Sequence, residues 1–209
     1  MKRLLLIILA LLPFNAHAWT LPADRRIASA GAKLSPPDLY LVIKDFNRDY
    51  ARGIEKGAAE EGRHGVLRER IENETRNAIA MLKANEPMSA VVERLGLIAH
   101  LISDANNPYK DADYAHYFEM RVAKFPTVFY GPEPHLRLGA FLDRTLSRTA
   151  ALTPLIAEEY RRGDSASFDD LSTAFGVASV CYSHAVTDTA NLFTYIWREA
   201  GGVVLNAKP

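Results

Sequence analysis

The stretch Ala99–Lys110, AHLISDANNPYK, decides how this chain is read. It sets His100 and Asp104 four residues apart inside an apolar run. On an α-helix that spacing places both side chains on one face, one turn apart. Gly96 falls in the same row and leaves room beside the imidazole. Asn106, Asn107 and Pro108 end the helix, because proline disfavours helical geometry in the residue before it. The pair is therefore expected near the mouth of a cleft. Imidazole and carboxylate projecting together from a buried face suit a divalent cation such as zinc. The plainer alternative is a core histidine hydrogen-bonded to an aspartate one turn away.

Outward from this helix, the apolar spacing stays helical in both directions. Upstream, Ser89 is the expected cap of the central helix, which runs from Val91 to about Ala105. An amphipathic helix over Val66–Ala84 precedes it and is broken by Asn85-Glu86-Pro87. Before that lies a polar loop, Glu60–Gly65, with His64 between Gly62 and Gly65. Ser35-Pro36-Pro37-Asp38 reads as a helix start: a serine cap, prolines in the first turn, an acid near the positive dipole end. That helix is expected to reach about Gly57 and contains Asp45 and Asp49, four apart. A short helix over Ala23–Ala32 comes first.

Downstream, Asp111–Lys124 reads as helical or partly so. His116 and Glu119, three apart within it, share a face or belong to a solvated charged surface. Phe125–Pro132, FPTVFYGP, is an aromatic, proline-rich loop that either packs on the body or lines a substrate cleft. His135 is read as solvated. A long helix over Leu136–Arg162 is expected to be interrupted near Pro154. The last helix, Asp169 to about Ala200, carries a second HxxxD, His184 and Asp188, and ends at Gly201-Gly202. No alternating strand pattern, repeat or low-complexity tract is present. The expected fold is a single-domain, all-α bundle of roughly six or seven helices.

The chain has 209 residues, with 25 basic and 25 acidic side chains. That balance provides no global field for nucleic acid or an anionic membrane. Lys2 and Arg3, the apolar run Leu4–Phe14 and the Ala16-His17-Ala18 ending read as a cleavable signal peptide, residues 1–18. The apolar run is too short to span a bilayer comfortably, and no cysteine follows it to carry a lipid anchor. Cleavage after Ala18 leaves Trp19 first in a mature domain, 19–209, that is periplasmic or secreted. Losing Lys2 and Arg3 from the 25 basic residues leaves 23 against 25 acidic ones, a net charge near −2. Cys181 is the only cysteine, so no internal disulfide forms, and the thiol reads as buried and inert. A Cys181/His184 dyad is disfavoured by its apolar mid-helix setting.

Two HxxxD pairs on separate helices, together with His64, raise the case for a metal site above that of one isolated motif. GxSxG, a glycine-rich phosphate loop and HExxH are all absent. Zinc accepts imidazole nitrogen and carboxylate oxygen, activates water near neutral pH and neutralises phosphoryl oxygens.

Three features together resemble the zinc-dependent phospholipase C and single-strand nuclease superfamily: Trp19 directly after an Ala-x-Ala site, HLISDANNP, and DTANLFTYIWREAGG near the C-terminus. The resemblance spans most of the mature chain, with the central motif and the tryptophan as its specific parts. It implies an exported all-α phosphodiesterase whose terminal Trp19 holds zinc through its α-amino nitrogen and carbonyl oxygen. It further implies His100 and Asp104 as the central pair, the aspartate bridging metals, and His64 as the upstream loop ligand. Asp49 and Asp38 match the upstream aspartate equally. The chain departs from the family where no histidine lies between Thr20 and Arg63, and where Lys110 stands in place of a histidine after the NP turn. The HxxxE that should follow is approximated only by His116 and Glu119. One or two zinc ions are therefore expected rather than three. His184 and Asp188 are metal candidates on spacing alone.

The expected function is an exported zinc-dependent hydrolase of a phosphodiester small molecule or phospholipid head group. Asp104 works with the metal, and Lys110 offsets substrate charge. The alternative is a non-catalytic exported helical domain that has lost part of the cluster and serves a binding or structural role. A third, weaker reading is a lipid-surface protein whose aromatics touch head groups.

Overall fold

The computed structural model describes residues 19–60, 66–109, 121–161 and 171–202. It is an all-α bundle. Among the described residues the helices are α1 (Leu21–Lys33), α2 (Pro37–Asp45), α3 (Asn47–Ala59), α4 (Leu67–Lys83), α5 (Met88–Ala105), α6 (Leu138–Arg161) and α7 (Thr173–Glu199). A single 3₁₀ turn, Val122–Lys124, precedes the aromatic loop. No helix among the described residues is long and apolar enough to cross a membrane.

The central helix α5 is buried on nearly every face from Val91 to Ala105. It packs against α3, α4, α1 and α7. The closest approach is to α3, and glycines allow it. A Cβ on Gly53 would stand 1.9 Å from the Glu93 carbonyl oxygen, and one on Gly96 would stand 2.1 Å from that of Tyr50. Any side chain at either position would force the two backbones apart. Helix α7 is also mostly buried and joins two apolar clusters. The larger surrounds Leu95, Ile98, Ile102, Phe141 and Phe193. The smaller gathers Trp19, Ile27, Tyr109, Phe125 and Tyr182.

Five boundaries differ from the sequence expectation. The helix expected from Ser35 to Gly57 is two helices, bent at Phe46 (φ −104°, ψ 32°). Leu39, Ile43, Tyr50 and Ile54 keep helical spacing across the bend, so the apolar pattern carries no mark of it. Ser35 closes α1 rather than opening α2: its Oγ donates to the Ala32 carbonyl at 2.6 Å. Central helix α5 starts at Met88 behind Pro87, which fixes the extended entry, so Ser89 lies inside the first turn. Finally, α6 runs through Pro154 unbroken. In this stretch the Thr149 and Thr153 hydroxyls donate to the carbonyls of Thr145 and Thr149. The last helix begins at Thr173, capped by Ser172 Oγ on the Phe175 amide and by the Glu159 carboxylate on the Thr173 and Ala174 amides.

Candidate metal centre

Helix α1 opens with Thr20 as its cap, Pro22 in the first turn and Asp24 one turn in. Asp24 shares a face with Ile27, Ala28 and Gly31, at i, i+3, i+4 and i+7, so the buried stripe of the helix carries a carboxylate. That stripe lies against α5 and brings Asp24 to His100. The Asp24 and His100 side chains are 1 % and 2 % exposed. His100 Nδ1 donates to Asp24 Oδ2 at 2.8 Å. Ser103 Oγ donates to the other carboxylate oxygen at 2.6 Å. The indole of Trp19 donates to the Ser103 carbonyl at 3.0 Å and pins the chain ahead of α1 onto the same turn of α5.

On the other side of the ring, Nε2 lies 3.2 Å from Asp104 Oδ2. No aligned hydrogen bond reaches this buried nitrogen among the described residues. Gly57 of α3 closes the remaining side, since a Cβ there would stand 2.4 Å from His100 Cδ2. One ligand atom each from Asp24, His100 and Asp104 lies within 4.8 Å of the other two.

Burial disfavours the charged imidazole, but the pull of Asp104 and Asp24 outweighs it and raises the His100 pKa to about 10. Burial pushes the Asp104 carboxyl up, against the opposing pull of His100. Without a cation, the two carboxyl groups therefore favour the protonated imidazole.

The chemistry of the donors fits a metal ion. The Nδ1–H bond to Asp24 orients the ring and turns Nε2 toward Asp104, as carboxylates behind metal-binding histidines do. Two ligands of a tetrahedral zinc stand about 3.3 Å apart. The Nε2 to Asp104 Oδ2 separation of 3.2 Å matches that span.

The sequence candidates divide sharply. His100 and Asp104 are brought together. Neither Asp38 nor Asp49 joins them: Asp38 is exposed in the first turn of α2, and Asp49 pairs with Arg52. Asp45 is likewise exposed at the end of α2. The upstream carboxylate at the centre is Asp24, which sequence reasoning missed. Its signal was an acid on the apolar stripe of a short helix.

His184 and Asp188 do not form a metal pair. Asp188 Oδ2 is held by Arg148 Nη2 at 2.5 Å, Asn106 Nδ2 at 3.0 Å and Thr145 Oγ1 at 3.1 Å. A cation there would have to displace a guanidinium. The His184 ring instead stacks on Tyr130, with centroids 4.2 Å apart. Burial, then Arg148, lowers its pKa to about 4. Cys181 is buried, and burial raises its thiol pKa to about 12, which agrees with an inert core residue. His64, Lys110, His116 and Glu119 lie outside the described residues.

The aromatic loop packs along α7. The amides of Val128, Tyr130 and Glu133 donate to Ser183 Oγ, Thr187 Oγ1 and Asn191 Oδ1, at 3.1, 3.1 and 3.0 Å. These three acceptors are spaced by four along α7, and the loop follows them as a strap. No protein-family model, curated protein or solved structure matches the chain.

Proposed function

We propose that the protein is an exported metal-dependent hydrolase of phosphodiesters, with zinc held by His100 and Asp104 and supported by Asp24. The observation that carries this reading is the buried His100 Nε2. It has no aligned hydrogen-bond partner among the described residues and stands 3.2 Å from Asp104 Oδ2, the separation of two ligands on one zinc. A bound zinc ion supplies Lewis-acid charge to phosphoryl oxygens and activates water near neutral pH.

The residues of this chain do the rest. Asp24 holds Nδ1–H and so fixes which ring nitrogen faces the cation. Ser103 holds Asp24 in turn. Signal cleavage after Ala18 would expose the α-amine of Trp19, one turn before Asp24, as a further ligand. Lys110 follows α5 by five residues and supplies positive charge for an anionic substrate.

The experiment is elemental analysis of protein beginning at Trp19, followed by turnover of bis(p-nitrophenyl) phosphate. Stoichiometric zinc, with turnover lost on chelation and in His100→Ala, supports the reading. Protein without zinc that leaves the diester intact sinks it.

A second reading draws on the raised pKa of His100. An imidazolium between Asp24 and Asp104 is a self-sufficient ion triad, and the protein is then a non-catalytic helical domain joined at that point. Full folding without metal, and no zinc taken up on addition, would establish it.

A further inference from the structure

Among the described residues, the buried side-chain atoms without a hydrogen-bond partner are Thr75 Oγ1, Arg94 Nε, His100 Nε2, Asn107 Nδ2 and Trp197 Nε1. Those of His100 and Asn107 lie at the C-terminal end of α5. The helix closes there in a tight turn. The Asn106 amide donates to the Ser103 carbonyl at 3.1 Å and the Asn107 amide to the Asp104 carbonyl at 3.0 Å. In such a 3₁₀ turn residues three apart eclipse, so Asn107 stands over Asp104, itself one turn beyond His100. Asn107 is 5 % exposed.

The amide cannot turn its donor away. Its Oδ1 accepts from the Tyr109 backbone N–H at 2.7 Å, which settles which end is oxygen and leaves Nδ2 without an acceptor among the described residues. The turn is held from outside as well. The Tyr109 ring meets Trp19 edge-on, with centroids 6.5 Å apart, and the Trp19 indole is bonded to the Ser103 carbonyl at 3.0 Å. Serine or aspartate would close the same turn without stranding a donor. A buried donor left unpaired weakens the fold, so this amide calls for an acceptor that none of the described residues supplies.

We propose that Asn107 is a substrate-binding residue of the metal centre, its Nδ2–H donating to an oxygen of the phosphate group held at His100 and Asp104. Side-chain amides fixed in place before the reaction stabilise negative oxygens in this way. The assignment rests on the hydrolase reading and adds to it the group that orients the phosphate. It is tested by titration calorimetry of inorganic phosphate into protein beginning at Trp19, with zinc added. Wild type, Asn107→Ser and Asn107→Asp are compared, and zinc content and urea stability are measured on each.

Wild type is expected to bind phosphate saturably. Asn107→Ser keeps the turn and withdraws the donor, so phosphate affinity should fall about 10- to 100-fold with zinc content unchanged. The nearly isosteric Asn107→Asp sets a carboxylate against the anion and should abolish binding. It carries the test if Asn107→Ser unfolds. A purely structural amide would instead lower urea stability and leave phosphate affinity alone, which overturns the proposal. Zinc uptake and diester turnover, with wild-type phosphate affinity in both variants, remove Asn107 from the site and leave the hydrolase reading standing. Protein that takes up no zinc and binds no phosphate overturns both.

Discussion

The two HxxxD pairs of this chain are alike in sequence and opposite in outcome. His100 and Asp104 meet a second acid, Asp24, and keep a buried ring nitrogen without an aligned hydrogen bond. Asp188 meets Arg148, Asn106 and Thr145, which together hold one of its oxygens, while His184 turns to an aromatic ring. What separates a candidate metal centre from a closed ion pair is the residue that a distant helix delivers: an aspartate from α1 in one case, an arginine from α6 in the other.

The largest test of that contrast is Asp188→Ala. Removing the buried Asp188 carboxylate strands the Arg148 guanidinium, which is 23 % exposed and still reaches water, so a loss of about 1–3 kcal/mol in urea unfolding is expected, with zinc content unchanged. Equal loss of zinc would show the two clusters to be one site. Gly57→Ala strikes the first cluster instead, because the new methyl meets the His100 ring. Overpacking of this kind costs about 1–3 kcal/mol, partly offset by about 1 kcal/mol from better helix propensity. Zinc uptake should fall with it. Asp24→Asn keeps the shape but weakens the hold on Nδ1–H, and zinc affinity measured by chelator competition should drop about 10- to 100-fold. An unchanged affinity would remove Asp24 from the centre.

A separate test is the pair of opposite pH trends. In metal-free protein the His100 pKa is raised from 6.5 to about 10, so the folded state holds the proton more tightly. Its stabilising contribution is complete below pH 6.5 and is lost as pH rises toward 10. The His184 pKa is lowered to about 4, so the unfolded chain takes the proton first. Its contribution is complete above pH 6.5 and is lost as pH falls toward 4. Chemical denaturation across pH should show the alkaline slope vanish in His100→Gln and the acidic slope shrink in His184→Phe. Slopes unaltered by either substitution would refute the assignment.

Much of the fold was legible because burial leaves a period in the sequence. The amphipathic run Val66–Ala84 and the apolar run through Leu95, Ile98 and Ile102 announce α4 and α5 with only boundary errors. Phe46 was not legible, because a bend that preserves the apolar face changes no periodicity. Ser35 and Ser89 look like caps, yet the hydroxyl and the backbone beside a proline settle their roles through neighbours. At the centre, His100 and Asp104 were readable from local spacing. Asp24 was not, because 76 residues separate it from His100 and only the packing of α1 on α5 joins them. Arg148 was hidden for the same reason, and so Asp188 passed for a ligand.

The strap over α7 has a consequence of its own. Ser183, Thr187 and Asn191 grip peptide groups, not side chains, along its length. The side chains of Val128 and Phe129 are exposed and take no part in these bonds. Residues there can be exchanged without rerouting the chain, so this face is free to drift in character while its path stays fixed.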